Sequence, residues 1–273
     1  MTEPPSPLSP EQIEQYHEEG WVLAKGFFSS AQAEEWRREA HALFSRVQNA
    51  ANEGWGSGAK ITDQPRALLH CHNPQYHSAS LQQLIFSPKL AAAFSQLIGP
   101  NVQLHHAKLF VKPPEKGAPF PLHQDCPFFP HERHTMMAAI VHFDEATEEK
   151  GCVRVVPGSH KLGPLQHNSD GGWHLPVDRY PLESAVPCPA SAGDALFFTY
   201  LTIHGSGVNR SDEARTTLLI QVRDPEDRPT EITHLSRGQG AMLHGIDPGA
   251  DADVGVDSRS RYLTQFKEAA IGH

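Results

Sequence analysis

The sequence predicts a mainly β fold, a sandwich or jelly roll, braced by α-helices at its N-terminal end. Two observations carry this prediction. After Pro100 the chain becomes a series of short apolar or alternating runs: VQLHHAKLFVK, TMMAAIVHF, CVRVVPG, DALFFTYLTIH and RTTLLIQVR, punctuated by Pro, Gly, Asp and Ser. The connections between these runs are long, which suits a sandwich or jelly roll better than a parallel sheet. With 273 residues the chain can bury one sizeable core without dividing, so residues 9–273 are expected to form a single domain.

The elements follow in order. Residues 1–8, with the sequence MTEPPSPL, are expected to be disordered. SPEQIEQYHEEG reads as a helix, with Ser9 as N-cap, Pro10 in the first turn, Gln12 at the capping-box position and Gly20 as the stop. WVLAKGFF follows as a short strand. The next helix, SSAQAEEWRREAHALFSRVQNAANEG, carries an apolar stripe of Trp36, Ala40, Leu43, Val47 and Ala50. A further helix starts at Ser87-Pro88, carries Leu90, Phe94, Leu97 and Ile98, and ends at Gly99-Pro100. Residues 101–225 are expected to hold the β core, 157–193 to be a Gly-, Pro- and His-rich surface insertion, and 226–273 a C-terminal extension.

Composition excludes several classes. A formal charge of -9 gives no electrostatic reason to bind nucleic acid or an anionic membrane. No apolar run approaches the ~18 residues of a membrane span, and the N-terminus lacks a signal-peptide pattern. Four cysteines without a C-x-x-C pair read as reduced thiols in a cytoplasmic protein rather than a disulfide scaffold or zinc ribbon. Nothing in the sequence calls for an obligate protein partner.

The chemistry begins at PLHQDCPFFP. On an extended segment residues i and i+2 point the same way, so His123 and Asp125 can grip one metal together. His204, at the end of the apolar run DALFFTYLTI and before Gly205-Ser206-Gly207, is the best third ligand. Two imidazoles and one carboxylate on one face leave metal positions open, as in non-haem Fe(II) oxygenases; zinc would accept the same set. Arg215 opens the next strand, where a guanidinium suits a bidentate carboxylate clamp, and Ser206 can donate a further hydrogen bond. Thr217, Leu219, Gln221 and Arg223 share the face of Arg215.

The order H-x-D, then strand-His-Gly-Ser-Gly, then Arg on the next strand resembles the phytanoyl-CoA dioxygenase family of Fe(II)/2-oxoglutarate oxygenases. EEGWVLAKGFF, LIGPNVQLHHAKLFVKPP, PLHQDCPFFP, EKGCVRVVPGSHK and AGDALFFTYLTIHGSGVNRSDEARTTLLIQV carry the resemblance in the family's order. It implies a double-stranded β-helix, a cupin-like jelly roll. It implies Fe(II) held by His123, Asp125 and His204, with O2 and the co-substrate 2-oxoglutarate. Arg215 and Ser206 match the residues that bind the co-substrate's far carboxylate, and Lys108 and Gln124 fall near positions lining its pocket. The implied reaction hydroxylates a small organic substrate, with release of succinate and CO2. Asp125 occupies the position at which halogenating relatives carry a small residue, which favours hydroxylation. Ile140 and His142 stand where family members often have Trp and Ala, so the pocket wall differs.

Further residues are expected at the substrate pocket: His106, Phe128, His142, Arg223, His70 and His72. His105 and His106 sit on one strand, so only one is expected to face inward, and His106 shares parity with Lys108. One of Phe128 and Phe129 is expected in the core and the other beside substrate. Lys112 reads as a solvated charge, Gly158 as a turn requirement, and Trp173 with His174 as a candidate lid. Two rival readings use the same ligands: a zinc-dependent hydrolase, and a non-catalytic metal-binding sensor.

Overall fold

In the computed structural model, which describes residues 6–46, 69–115, 117–168, 173–231 and 233–250, the chain opens on helix α1 (Pro10–Glu19). Ser9 and Gln12 close a reciprocal capping box, and Gly20 ends the helix at φ 83°, a left-handed position that glycine adopts without strain. Strand β1 (Trp21–Ala24) and helix α2 (Ser30–Arg46) follow. Trp36, Ala40 and Leu43 are buried as the stripe requires; Val47 and Ala50 lie outside the described residues, as do 1–5 and 251–273. Disorder through residue 8 does not hold at Leu8, which is buried and donates its N–H to Gln96 Oε1. Strand β2 (Leu69–His72) and helix α3 (Ala79–Ile85) were not legible from periodicity. Helix α4 (Pro88–Ile98) is capped by Ser87.

The strands after Pro100 are β3 (Val102–Lys112), β4 (Phe120–His123), β5 (Met137–His142), β6 (Val153–Val155), β7 (Val186–Cys188), β8 (Ala195–Thr199), β9 (His204–Ser206), β10 (Arg215–Arg223) and β11 (Met242–His244). They form two antiparallel sheets, a jelly roll. The larger runs β1-β8-β5-β10-β3-β11, with β2 also paired to β3; the smaller runs β4-β9-β6-β7.

Strand alternation gives each face of the larger sheet its own job. Leu104, Leu109, Ala139, Val141, Phe197, Leu218 and Ile220 pack outward against Leu81, Leu90, Phe94 and Leu97 of the helices. Each Leu, Ile, Val or Phe among them contributes roughly 1.5–3 kcal/mol by burial. The opposite parity turns inward. Ala138, Leu196 and Phe198, with the half-buried Ile140 and Leu219, meet Val153, Val155 and Cys188 of the smaller sheet.

Two predicted features change. DALFFTYLTIH is not one strand. β8 ends at Thr199, and a turn closed by Thr202 N–H to Thr199 O (2.9 Å) and Thr202 Oγ1 to Gly20 O (2.7 Å) carries the chain into the other sheet. His204 therefore opens β9 rather than ending the preceding strand. The stretch 157–193, expected as a surface insertion, is in part built into the smaller sheet. It contains β7, and its Leu175 and Ala185 pack with Leu122 and Ile203 over the smaller sheet. Gly158 sits at φ 74°, the turn position expected of it. No helix among the described residues is long and apolar enough to cross a membrane.

Candidate active site

Strand pairing brings the ligand residues together. β4 and β9 pair with His123 opposite His204, and their ring centroids lie 4.2 Å apart. Gly205 permits that approach, because a Cβ there would lie 2.6 Å from Phe120 O. Asp125 sits in the turn just past β4, where its N–H donates to Tyr200 O at 2.9 Å. Its Oδ1 lies 3.6 Å from His123 Nε2 and 3.8 Å from His204 Nε2. Ligand atoms of all three buried residues fall within 4.8 Å of one another, a group that could hold a metal ion.

The surroundings orient each arm. His123 Nδ1 meets Pro121 O at 2.8 Å and His204 Nδ1 meets Thr202 O at 3.0 Å, which sets Nδ1 as the protonated nitrogen and turns Nε2 to the cluster. Gln221 Nε2 donates to Asp125 Oδ2 at 2.6 Å, leaving Oδ1 toward the imidazoles. Burial pulls the Asp125 pKa upward, but His204 and His123 outweigh it and hold the carboxyl below its ordinary value. Burial and His123 push His204 down to about 4, with Asp125 opposing. An N2O donor set with one net negative charge fits a divalent transition metal.

Beside this cluster the sheets bury two cations. Arg215 opens β10 opposite Lys112 at the end of β3. The Arg215 guanidinium donates to Gly151 O, while its Nε is buried without a partner. Gly151 has φ 68° and a Cβ there would meet Gly207 O at 2.3 Å, so this carbonyl is presented by a turn that only glycine fits. Lys112 is not a solvated charge. It is 0% exposed, and its Nζ donates to Ser206 Oγ at 2.7 Å and Gly207 O at 2.6 Å. Burial and then Arg215 push its pKa well below the usual lysine value. The sequence signal was present: Lys112 shares parity with His106 and Lys108.

His142, at the end of β5, lies opposite Thr217 of β10 and within electrostatic reach of Arg215. Both its ring nitrogens are buried without partners, and burial, then Arg215, drives its pKa down to about 3. Two buried cations and three orphaned nitrogens fit a dicarboxylate with a polar end, such as 2-oxoglutarate.

His142 also has a measurable cost. In the unfolded chain it titrates near ~6.5, while in the fold it stays neutral down to about 3. Between these values the unfolded state binds more protons. Stability is therefore full above the unfolded pKa and is lost as pH falls toward the folded one. On going from about pH 7 to about pH 5, ligand-free wild type is expected to lose ~2 kcal/mol more than His142→Phe. Urea midpoints at both pH values check this.

Other predicted site residues divide. Gln124 turns away from the pocket, toward backbone groups of neighbouring loops. Its Nε2 donates to Gly163 O and Leu201 O, and its Oε1 accepts from Leu165 N–H. It fastens the ligand turn to the 157–193 segment, and its backbone N–H donates to His167 Nε2 at 2.8 Å. Arg223 is buried and bonded to Gln103 Oε1 and to the carbonyls of Asp224, Pro225 and Asp227. Its terminal nitrogens tie β10 to the following loop and to β3.

Lys108 lies opposite Leu219 and His72, four residues along β3 from Lys112, and its ammonium acts on His72, His106 and His234. His70 and His72 reach the inner side on β2, with rings 5.2 Å apart. Phe128 lies 6.3 Å from both the His123 and Trp173 rings, whereas Phe129 packs with Cys126, Met136 and Tyr200. Trp173 is exposed, whereas His174 is buried and bonded to Leu175 O.

Residues 16–217 match the family model described as phytanoyl-CoA dioxygenase (PhyH). The chain is similar to the probable alpha-ketoglutarate-dependent hypophosphite dioxygenase of Stutzerimonas stutzeri, 27% identical over 223 residues, 77% of each chain. It is 26% identical to the ectoine dioxygenase of Halomonas elongata over 265 residues, 87% of this chain and 76% of that one. Among solved structures, the epimerase SnoN in complex with Fe3+, alpha ketoglutarate and nogalamycin RO superimposes with a TM-score of 0.68. It shares 27% identity and covers 87% of this chain and 96% of its own.

Proposed function

Because the chain belongs to the phytanoyl-CoA dioxygenase family, we propose that His123, Asp125 and His204 are the iron ligands of an Fe(II)- and 2-oxoglutarate-dependent dioxygenase. Arg215, Ser206, Lys112 and His142 would hold the far end of 2-oxoglutarate. The observation that carries the assignment is the adjacency of a buried two-histidine, one-carboxylate cluster and a buried pair of cations. When bound, iron and 2-oxoglutarate supply the oxidising chemistry, in which O2 is consumed and succinate and CO2 are released.

The chain's own groups bind, orient and exclude water. Carbonyls of Pro121 and Thr202 fix the imidazole tautomers, Gln221 fixes the carboxylate, and Phe128 covers the cluster on the His123 side. Similarity to proteins named for hypophosphite, ectoine and nogalamycin chemistry supports a small-molecule substrate. Hydroxylation is the favoured outcome, since Asp125 keeps the carboxylate in the ligand set. Four free, buried thiols fit a reducing compartment such as the cytoplasm. The reading requires no protein partner.

A zinc hydrolase would use the same three ligands but leave the Arg215–Lys112–His142 pocket without a ligand. Labelled 2-oxoglutarate separates the two. The expected result is CO2 and succinate formation that requires Fe(II) and is not sustained by Zn(II). Absence of both products with iron over a broad substrate panel would favour the hydrolase or the sensor.

A further inference from the structure

Thr216, the residue beside Arg215 on β10, is tied down at each of its polar groups. It shares the parity of Leu218 and Ile220, so it faces the helical side of the sheet while Arg215 turns inward. Its N–H donates to Asp144 Oδ2 at 2.7 Å, and its carbonyl accepts from Phe143 N–H at 3.0 Å. Its Oγ1 meets His41 Nε2 at 2.8 Å.

The local reason is the end of a ladder. β5 pairs with β10 only as far as His142 opposite Thr217. Beyond that point the next residue, Phe143, supplies one bond to Thr216, and the Asp144 carboxylate takes the place of the second. Asp144 is held in turn from outside the sheets, because Arg37 Nε of α2 donates to its Oδ1. Arg37 itself lies 3.7 Å from Glu34, one turn earlier. Arg37 and His41 are four residues apart and share one face of α2. Trp36 seats that helix with its ring 5.8 Å from the Phe143 ring. Helix α2 thus grips the first residues of β10 twice, directly through His41 and indirectly through Asp144.

The grip falls where placement matters. β10 begins immediately after bends at 211–213, and Arg215 is its first residue. Strand ends fray unless something ties them. A guanidinium that pairs with a carboxylate needs a set direction, and a displacement of ~1 Å can cost about 100-fold. Asp144 does not compete for the guanidinium, since its two oxygens are engaged by Thr216 N–H and Arg37. Its charge helps in another way. Burial draws the Arg215 pKa down to about 10, and Cys152 and Asp144 oppose that fall.

We infer that Asp144, held by Arg37 of α2, is a positioning residue for the co-substrate: through Thr216 it fixes the start of β10 and with it the direction of Arg215. It acts through Arg215 rather than by touching 2-oxoglutarate. This rests on the oxygenase reading.

The test is an anaerobic titration of the Fe(II)-loaded full chain with 2-oxoglutarate, reading the visible charge-transfer band of the ferrous chelate, together with iron retained after dialysis. Asp144→Ala should weaken 2-oxoglutarate about 10-fold, with the band at saturation and the retained iron as in wild type. Arg37→Met, at a half-exposed site, should weaken it about 3-fold. Adding Asp144→Ala to Arg215→Leu should cost nothing further, because the side chain that Asp144 directs is gone. A general loss of structure would instead lower iron retention in step and add to the Arg215→Leu loss. Unchanged 2-oxoglutarate binding in both single variants, iron loss in parallel, or additive losses in the double variant would overturn the inference. Should Asp144→Ala not fold, Arg37→Met alone and combined with Arg215→Leu decides by the same criteria. Wild type that binds iron but no 2-oxoglutarate would overturn the oxygenase reading and this inference together, which distinguishes the two failures.

Discussion

Asp125→Ala is expected to lower iron-dependent succinate formation by more than about 100-fold, because loss of a ligand should exceed the 10–100-fold that loss of an outer hydrogen bond costs a metal site. The reason lies in the charge balance. His204 and His123 offer neutral nitrogens, and Asp125 is the one carboxylate in the cluster. Its removal leaves two imidazoles held by Thr202 and Pro121 carbonyls, with no anion to balance a divalent ion. Iron retained after dialysis and succinate formed per iron measure the two consequences separately. Wild-type iron retention in Asp125→Ala would contradict the ligand assignment.

The second large effect is at the co-substrate pocket. Arg215→Leu should raise the dissociation constant of 2-oxoglutarate by about 2–5 kcal/mol, or roughly 30- to 5,000-fold, the range for truncating one partner of a buried charge pair. Lys112→Met should show a split. The two cations oppose each other across the β3–β10 pair, so removing the lysine relieves repulsion in the empty protein. The variant is therefore expected to unfold at a higher urea concentration than wild type without ligand, yet to bind 2-oxoglutarate more weakly. Calorimetry on both single variants and the double variant gives the coupling between the side chains. Additive losses would mean that they do not grip one carboxylate.

Much of this was legible in the sequence, for identifiable reasons. The Ser9–Gln12 capping box and the Gly20 stop are local chemistry and appear where expected. The ligands His123, Asp125 and His204 were found by residue type and order, although their reasons for meeting differ from the prediction. Asp125 sits in a turn, and His204 begins a strand of the opposite sheet. A switch between sheets depends on the Thr202–Gly20 bond over long sequence separation, which periodicity does not report. Lys112 was missed because its burial depends on register with Arg215. His105 was misjudged: it and His106 both turn inward, their Nδ1 atoms 2.8 Å apart, because a bulge where β3 faces Gln221 and Val222 inserts one residue into an otherwise regular alternation. Gln221 was placed on the correct face, but its bond to Asp125 crosses 96 residues.

Gln124, wedged between two ligand positions yet facing away from them, makes the ligand turn and the 157–193 segment a single mechanical part. Its amide spans Leu201, Gly163 and Leu165, and its main chain holds His167. Anyone transplanting that segment from a relative to alter substrate choice would also retune the spacing of the iron arms. A workable graft has to bring a matching amide socket with it.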